Sequence, residues 1–154
     1  MKINWTKPDP NSELGEYFEN DFTKKFFKTK GLMFDTHEDL IRFLETGILL
    51  DIDPQKFNVG NTVNMTLTKK EFEDELKDPD YKKSFNSMES VLLKQKTITL
   101  PAPIIVKFYG LFFGFAGNRR MNLAIKYGIP LKIWRVNVPE KASSIDIFLA
   151  GIGI

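Results

Sequence analysis

The sequence predicts one domain of the α+β class: a small mixed sheet with flanking helices, preceded by an N-terminal helical extension. Three observations lead there. Leu14, Phe18, Phe22 and Phe26 recur at every fourth position, which is the spacing of one apolar stripe on a helix. Across residues 98–136, short apolar runs alternate with glycine and proline, the punctuation of strands and tight turns. The chain has 154 residues, 42% of them hydrophobic, which suits a single domain with its own core. Residues 1–46 form the expected extension and residues 47–154 the core.

Residues 1–11, with two prolines and two asparagines, are expected to form an extended arm. Asn11 or Ser12 is placed to cap a helix over residues 13–28. Its acids come first (Glu13, Glu16, Glu19) and its lysines last (Lys24, Lys25, Lys28), complementing the helix dipole. Gly31 stops this helix, and Leu32-Met33-Phe34 follows as a short strand. Thr36 caps a second helix that runs to Glu45, with Gly47 as its end and His37 in a solvent-facing first turn.

Residues 48–52 form a candidate buried strand that leads into Asp51-Ile52-Asp53-Pro54. A strand would turn Asp51 and Asp53 to one side, as a metal-ligand pair or a general base requires. A solvated turn before Pro54 is the competing reading. Residues 55–66 are polar and read as a loop. Thr68 and Glu71 form a capping box for a helix starting at Lys69; Pro79 interrupts it, and a second piece covers residues 81–93.

Residues 98–107 read as a strand, with Pro101 and Pro103 placing its start at an edge or bulge. Tyr109-Gly110 forms a turn and residues 111–115 the return strand. Gly117 opens a helix of about ten residues with Met121, Ala124 and Ile125 inward, and Gly128 closes it. Residues 131–136 are another strand, broken by Pro139. The apolar tail at 145–154 either packs as a last strand or covers an apolar surface; residues 147–154 would be a homodimer surface if not packed internally.

Charge and composition exclude several classes. There are 22 Lys and Arg against 20 Asp and Glu; a net charge of +2 shows no nucleic-acid footprint, although local clusters rather than totals make such sites. The absence of cysteine rules out disulfides, thiolate metal sites and thiol catalysis. A single histidine, His37, argues against histidine-rich metal sites and a Ser/His/Asp triad. No apolar run reaches the roughly 18–20 residues that span a bilayer, and the N-terminus lacks a signal-peptide core. A cytoplasmic location with no membrane partner is the expectation.

The most informative feature is Gly117-Asn118-Arg119-Arg120. Helix-start N–H groups lack partners and the dipole favours negative charge there, so a glycine turn entering a helix can hold an anion. Arginines add planar donors that match phosphate oxygens. An ordinary helix start with solvated arginines is the competing reading.

In context, this stretch resembles the ParB/sulfiredoxin-like superfamily. The resemblance covers residues 100–136 and rests on Leu100-Pro101-Ala102-Pro103-Ile104-Ile105-Val106, Gly114-Phe115-Ala116-Gly117-Asn118-Arg119-Arg120, Ala124, Gly128 and Ile129-Pro130-Leu131. In ParB proteins a similar strand is followed by a hairpin and a Gly-Glu-Arg-Arg box. The resemblance implies a ParB-like core binding a nucleoside triphosphate or nucleic-acid phosphate at the box, with Mg²⁺ as companion. Some members are described as nucleases. It implies close backbone approach at Gly117 and phosphate contacts from Arg119 and Arg120, one of which could instead brace the loop. Asn118 stands where the family has glutamate and cannot act as a base. Nothing resembling the partition proteins' helix-turn-helix follows the box, and sulfiredoxin's cysteine is absent. Such core modules occur in phage and plasmid proteins. A composition rich in Lys, Asn, Ile and Phe suits a phage origin and a host cytoplasm.

Two functions follow as alternatives. One is phosphoryl transfer or phosphodiester hydrolysis, with Arg119, Arg120 and Lys107 or Lys126 on the phosphates and Asp51 and Asp53 as the catalytic carboxylates holding Mg²⁺. The other is a non-catalytic phage-type module that binds DNA or a host protein, with Tyr109, Phe112, Phe113 and Trp134 as stacking platforms.

Overall fold

Alternation in the central strands sets the architecture. The computed structural model describes residues 1–58 and 60–138. The elements run β1 (Lys2–Thr6), a 3-10 turn (Pro10–Glu13), α1 (Gly15–Phe18), α2 (Asp21–Thr29), α3 (His37–Glu45), β2 (Ile48–Ile52), a second 3-10 turn (Pro54–Lys56) and β3 (Thr62–Val63). Then come α4 (Lys69–Glu75), α5 (Pro79–Gln95), β4 (Thr97–Pro101), β5 (Ile104–Phe108), β6 (Leu111–Ala116), α6 (Asn118–Tyr127) and β7 (Leu131–Val138). Five strands form a mixed sheet in the order β2-β7-β5-β6-β3, and β1 pairs in parallel with β4 in a separate two-stranded sheet. Within the larger sheet β5 is parallel to β7 and antiparallel to β6, β2 is antiparallel to β7, and β3 is parallel to β6.

Successive side chains of a strand point to opposite faces, so a sheet with apolar residues at both parities must be covered on both sides. On one side Ile104, Val106, Phe108 and Phe113 form a core with Phe27 of α2 and Leu40 and Leu44 of α3. On the other, Ile105, Leu131 and Ile133 pack with Phe85 and Leu92 of α5 and Leu123 of α6. The α+β class with a mixed sheet and flanking helices is therefore the observed one. The N-terminal segment supplies one whole helical layer of the protein.

Local signals placed many boundaries correctly. Thr36 Oγ1 accepts from Asp39 N and caps α3, Thr68 and Glu71 form the capping box of α4, and Gly128 ends α6 in the left-handed conformation at φ 62°. Tyr109, also left-handed at φ 57°, makes the β5–β6 turn.

Other expectations are corrected. The helix over residues 13–28 is three pieces, because Asn20 adopts an extended conformation and its side chain accepts from Thr23 N to start α2 afresh. The change of phase buries Tyr17, Thr23 and Phe27 and leaves Phe22 54% exposed, outside the expected stripe. Residues 32–34 are not a strand, although Leu32 and Phe34 are buried; Phe34 N donates to the Tyr17 hydroxyl (3.0 Å). The extended arm expected at residues 1–11 includes the strand β1, which is paired with β4, and ends in the first 3-10 turn.

The expected buried strand at residues 48–52 is instead the sheet edge, with Ile48 and Leu49 exposed. The expected strand at residues 98–107 is two strands in two sheets. Prolines 101 and 103 have no N–H to continue a ladder, and the chain crosses between sheets there. Ala102 N donates to Thr6 O, and Pro103 O accepts from Trp134 N (both 2.8 Å). The loop expected at 55–66 contains β3, which joins the far edge of the sheet. Pro139, the apolar tail at 145–154 and its proposed dimer surface lie outside the described residues.

Candidate functional site

The turn between β6 and α6 depends on Gly117. Its φ of +88° is left-handed, and a Cβ there would lie 2.7 Å from both Pro103 Cα and an Arg120 terminal nitrogen. Only glycine meets both conditions without strain. Because Gly117 has no side chain, α6 begins with no side-chain cap; its first intrahelical bond runs from Met121 N to Gly117 O (3.0 Å). The N–H groups of the first turn are thus left for a ligand or water.

The other three residues of the box have different roles. Asn118 is engaged at both polar atoms: Oδ1 accepts from Thr66 N (3.1 Å) and Nδ2 donates to Thr66 Oγ1 (2.7 Å). It ties the segment after β3 to the start of α6. One terminal nitrogen of Arg120 donates to Glu13 Oε1 at 3.1 Å, with the two side chains only 19% and 14% exposed. Arg120 Nε is buried without a partner. Arg120 therefore braces the site against the N-terminal segment. Arg119 is exposed, lies 5.7 Å from the Tyr81 ring centroid, and has no hydrogen bond or salt bridge to any described residue. Tyr81 is fixed in turn by Asn122, whose Nδ2 donates to its hydroxyl (2.9 Å).

A cleft of about 720 Å³ lies over this turn. Its walls include the 3-10 turn and α1, the start of α5, the Pro101–Pro103 crossing and the box itself. Among the described residues, Glu13, Glu16, Glu75, Asp78 and Asp80 line it against the two arginines, so carboxylates outnumber cations. Burial pushes the Glu16 carboxyl above the ordinary glutamate range, and nearby Glu13 adds to this; Arg119 and Arg120 pull it back only in part.

The sequence-predicted residues fall in two groups. Gly117, Asn118, Arg119 and Arg120 converge on the cleft. Asp51 and Asp53 are not among its lining residues. Asp51 sits on the edge strand with its carboxylate 3.4 Å from Lys132 Nζ, and Asp53 caps the second 3-10 turn by accepting from Gln55 N (3.0 Å). Lys107 lies over Phe112, and Lys126 pairs with Glu89, so neither lines the cleft. Phe113 and Trp134 are core residues rather than stacking platforms, while Tyr109 is exposed.

Sequence reasoning missed Glu13, Glu16 and Tyr81. Both glutamates were read as dipole-matching acids of a helix, and nothing in their local pattern says which way they face. Among the described residues, no group of three or more His, Cys, Asp or Glu is placed to hold a metal ion. No helix among them is long and apolar enough to cross a membrane.

Comparison with protein families, with characterised proteins and with solved structures found no match.

Proposed function

We propose that this protein binds a nucleotide through its phosphates at the Gly117–Arg120 turn. The observation that carries the reading is an uncapped helix start beside an arginine without a salt bridge, both opening into one cleft. Its volume of about 720 Å³ is within the range of small-ligand pockets. In this reading the backbone N–H groups at the start of α6 take phosphate oxygens, helped by the dipole, and Arg119 closes over them. Asn118 and Arg120 hold the frame. The likeness of the box to the ParB/sulfiredoxin-like superfamily supports the same assignment.

The acidic lining favours a compact ligand over a long nucleic acid, whose repeated phosphates would meet Glu75, Asp78 and Asp80. It also suits a nucleotide that arrives with Mg²⁺, which prefers one or two carboxylates plus ligand phosphates to an all-protein cage. Glu75 and Asp80 are the lining carboxylates it could use, since neither makes a hydrogen bond or salt bridge to a described residue. The reading is one of binding rather than hydrolysis. Asn118 replaces the family glutamate and has both polar atoms occupied by Thr66, which leaves it unable to orient a water.

Thermal-shift measurement against ATP, CTP, GTP and UTP, with and without Mg²⁺, and against duplex DNA, tests this. At least one triphosphate should raise the melting temperature. Arg119→Ala should weaken its binding by about tenfold or more, the loss of one charge-assisted contact. No shift with any triphosphate overturns the proposal. A shift with DNA alone, steeply reduced by salt, would transfer the site to the nucleic-acid reading.

A further inference from the structure

The N-terminal segment has a feature that phosphate binding alone does not explain. Glu13 and Glu16 stand three residues apart and both line the cleft that holds the box. Glu13 is neutralised by its ion pair with Arg120. Glu16 has no hydrogen bond or salt bridge to any described residue, yet it is half-buried. An anion entering this cleft would therefore meet a carboxylate with no dedicated counter-ion. The charged groups that bear on Glu16 are Glu13 from its own segment and Arg119 and Arg120 from α6. The remaining ionisable groups of the lining are Glu75 at the end of α4, and Asp78, Asp80 and Tyr81 at the start of α5.

We propose that Glu16 belongs to the anion site as a carboxylic acid: it takes up a proton when the anion binds and donates it in a hydrogen bond to an anion oxygen. This inference rests on the phosphate-binding reading and adds to it a ligand-facing residue from outside the box. Two physical arguments support it. A neutral acid replaces a repulsive contact with an attractive one, because a carboxylate only accepts hydrogen bonds whereas the acid donates one. Burial and Glu13 also oppose the charged form of Glu16 before any ligand arrives, and Arg119 and Arg120 offset them only in part. An incoming negative charge acts in the same direction. By linkage, anion affinity must then fall as pH rises through the titration of Glu16.

Sulfate is the probe, because its own charge does not change across the range used. Its binding would be followed through the amide resonances of Asn118, Arg119 and Arg120 in a pH series that starts near the ordinary glutamate value, about pH 4, and runs upward to about pH 8. The wild-type protein should lose affinity several-fold across this range. Glu16→Gln, an uncharged donor of the same shape, should bind without that slope and at neutral pH bind more tightly than wild type. Glu13→Gln, which removes a charge that opposes ionised Glu16 and releases Arg120, should keep a slope but move it to lower pH. Binding that is flat with pH in the wild type, or a slope that survives in Glu16→Gln, overturns the role of Glu16 but leaves the anion site standing. Sulfate that moves none of these amides at any pH overturns both. Amide spectra of each variant without sulfate verify that it is folded.

Discussion

Gly117 shows how a single residue can be required twice, by its dihedral angle and by the space around it. Gly117→Ala would put a methyl group 2.7 Å from Pro103 Cα while holding a left-handed φ. The expected cost is about 2 kcal/mol or more, read as a lower midpoint in urea denaturation. Glu16 makes the opposite prediction. A carboxyl raised in the folded state binds protons more readily there than in the unfolded chain, so stability falls as pH rises from the ordinary glutamate value through the folded one. Glu16→Gln removes that pH dependence. Its melting temperature should exceed that of wild type above this window and converge on it below, in a series of thermal melts against pH.

Among the elements, two joints show how helices are fixed to their neighbours. At the end of α3, Trp134 Nε1 from β7 donates to Leu44 O at 2.8 Å. The indole comes so close to the chain that a Cβ on Gly47 would lie 2.3 Å from Nε1. Gly47→Ala must push the ring off its acceptor and should cost about 2–3 kcal/mol, measurable in denaturation and in the indole N–H resonance. Between α5 and α6, Glu89 Oε2 accepts from Lys126 Nζ (2.5 Å) and from the Tyr127 hydroxyl (2.6 Å). Burial opposes the Glu89 carboxylate, but these two donors outweigh it and hold the carboxyl below the usual range. The stability from this contact is present above the ordinary glutamate value and is lost as pH falls through the folded one. With Lys126 44% exposed, Glu89→Gln should cost no more than about 1 kcal/mol at neutral pH. The difference from wild type should close on acidification.

For the molecule as a whole, the sheet is sandwiched between the N-terminal helices α2 and α3 on one face and α5 and α6 on the other. Phe27, Leu40 and Leu44 are fully buried against Val106, Phe108 and Phe113, so residues 1–46 complete the core instead of decorating it. A chain that starts at Gly47 would expose that face of the sheet and lose Glu13, the partner of Arg120. Such a chain should show no cooperative thermal transition by circular dichroism. A sharp transition in it would mean that the second core, around Ile105, Phe85 and Leu123, is sufficient alone.

What the sequence by itself determined is local. Thr36, Thr68 with Glu71, Tyr109 and Gly128 each set a cap or turn through contacts within a few residues, and α6 was legible from end to end for that reason. The Asn20 cap is equally local, but the four-residue spacing of Leu14, Phe18, Phe22 and Phe26 masked it. The box is legible in the sequence as an anion-holding shape only up to the identity of its four residues; their separate roles are not. Arg120 finds Glu13 across 107 residues, and Asn118 finds Thr66 across 52. Asp51 and Asp53 had as much chemical promise as Glu13 and Glu16 in the linear chain. Tertiary structure alone decided between them. Which carboxylate faces the box depends on how the sheet is ordered and where Pro101 and Pro103 make the chain cross, and local propensity carries no record of either.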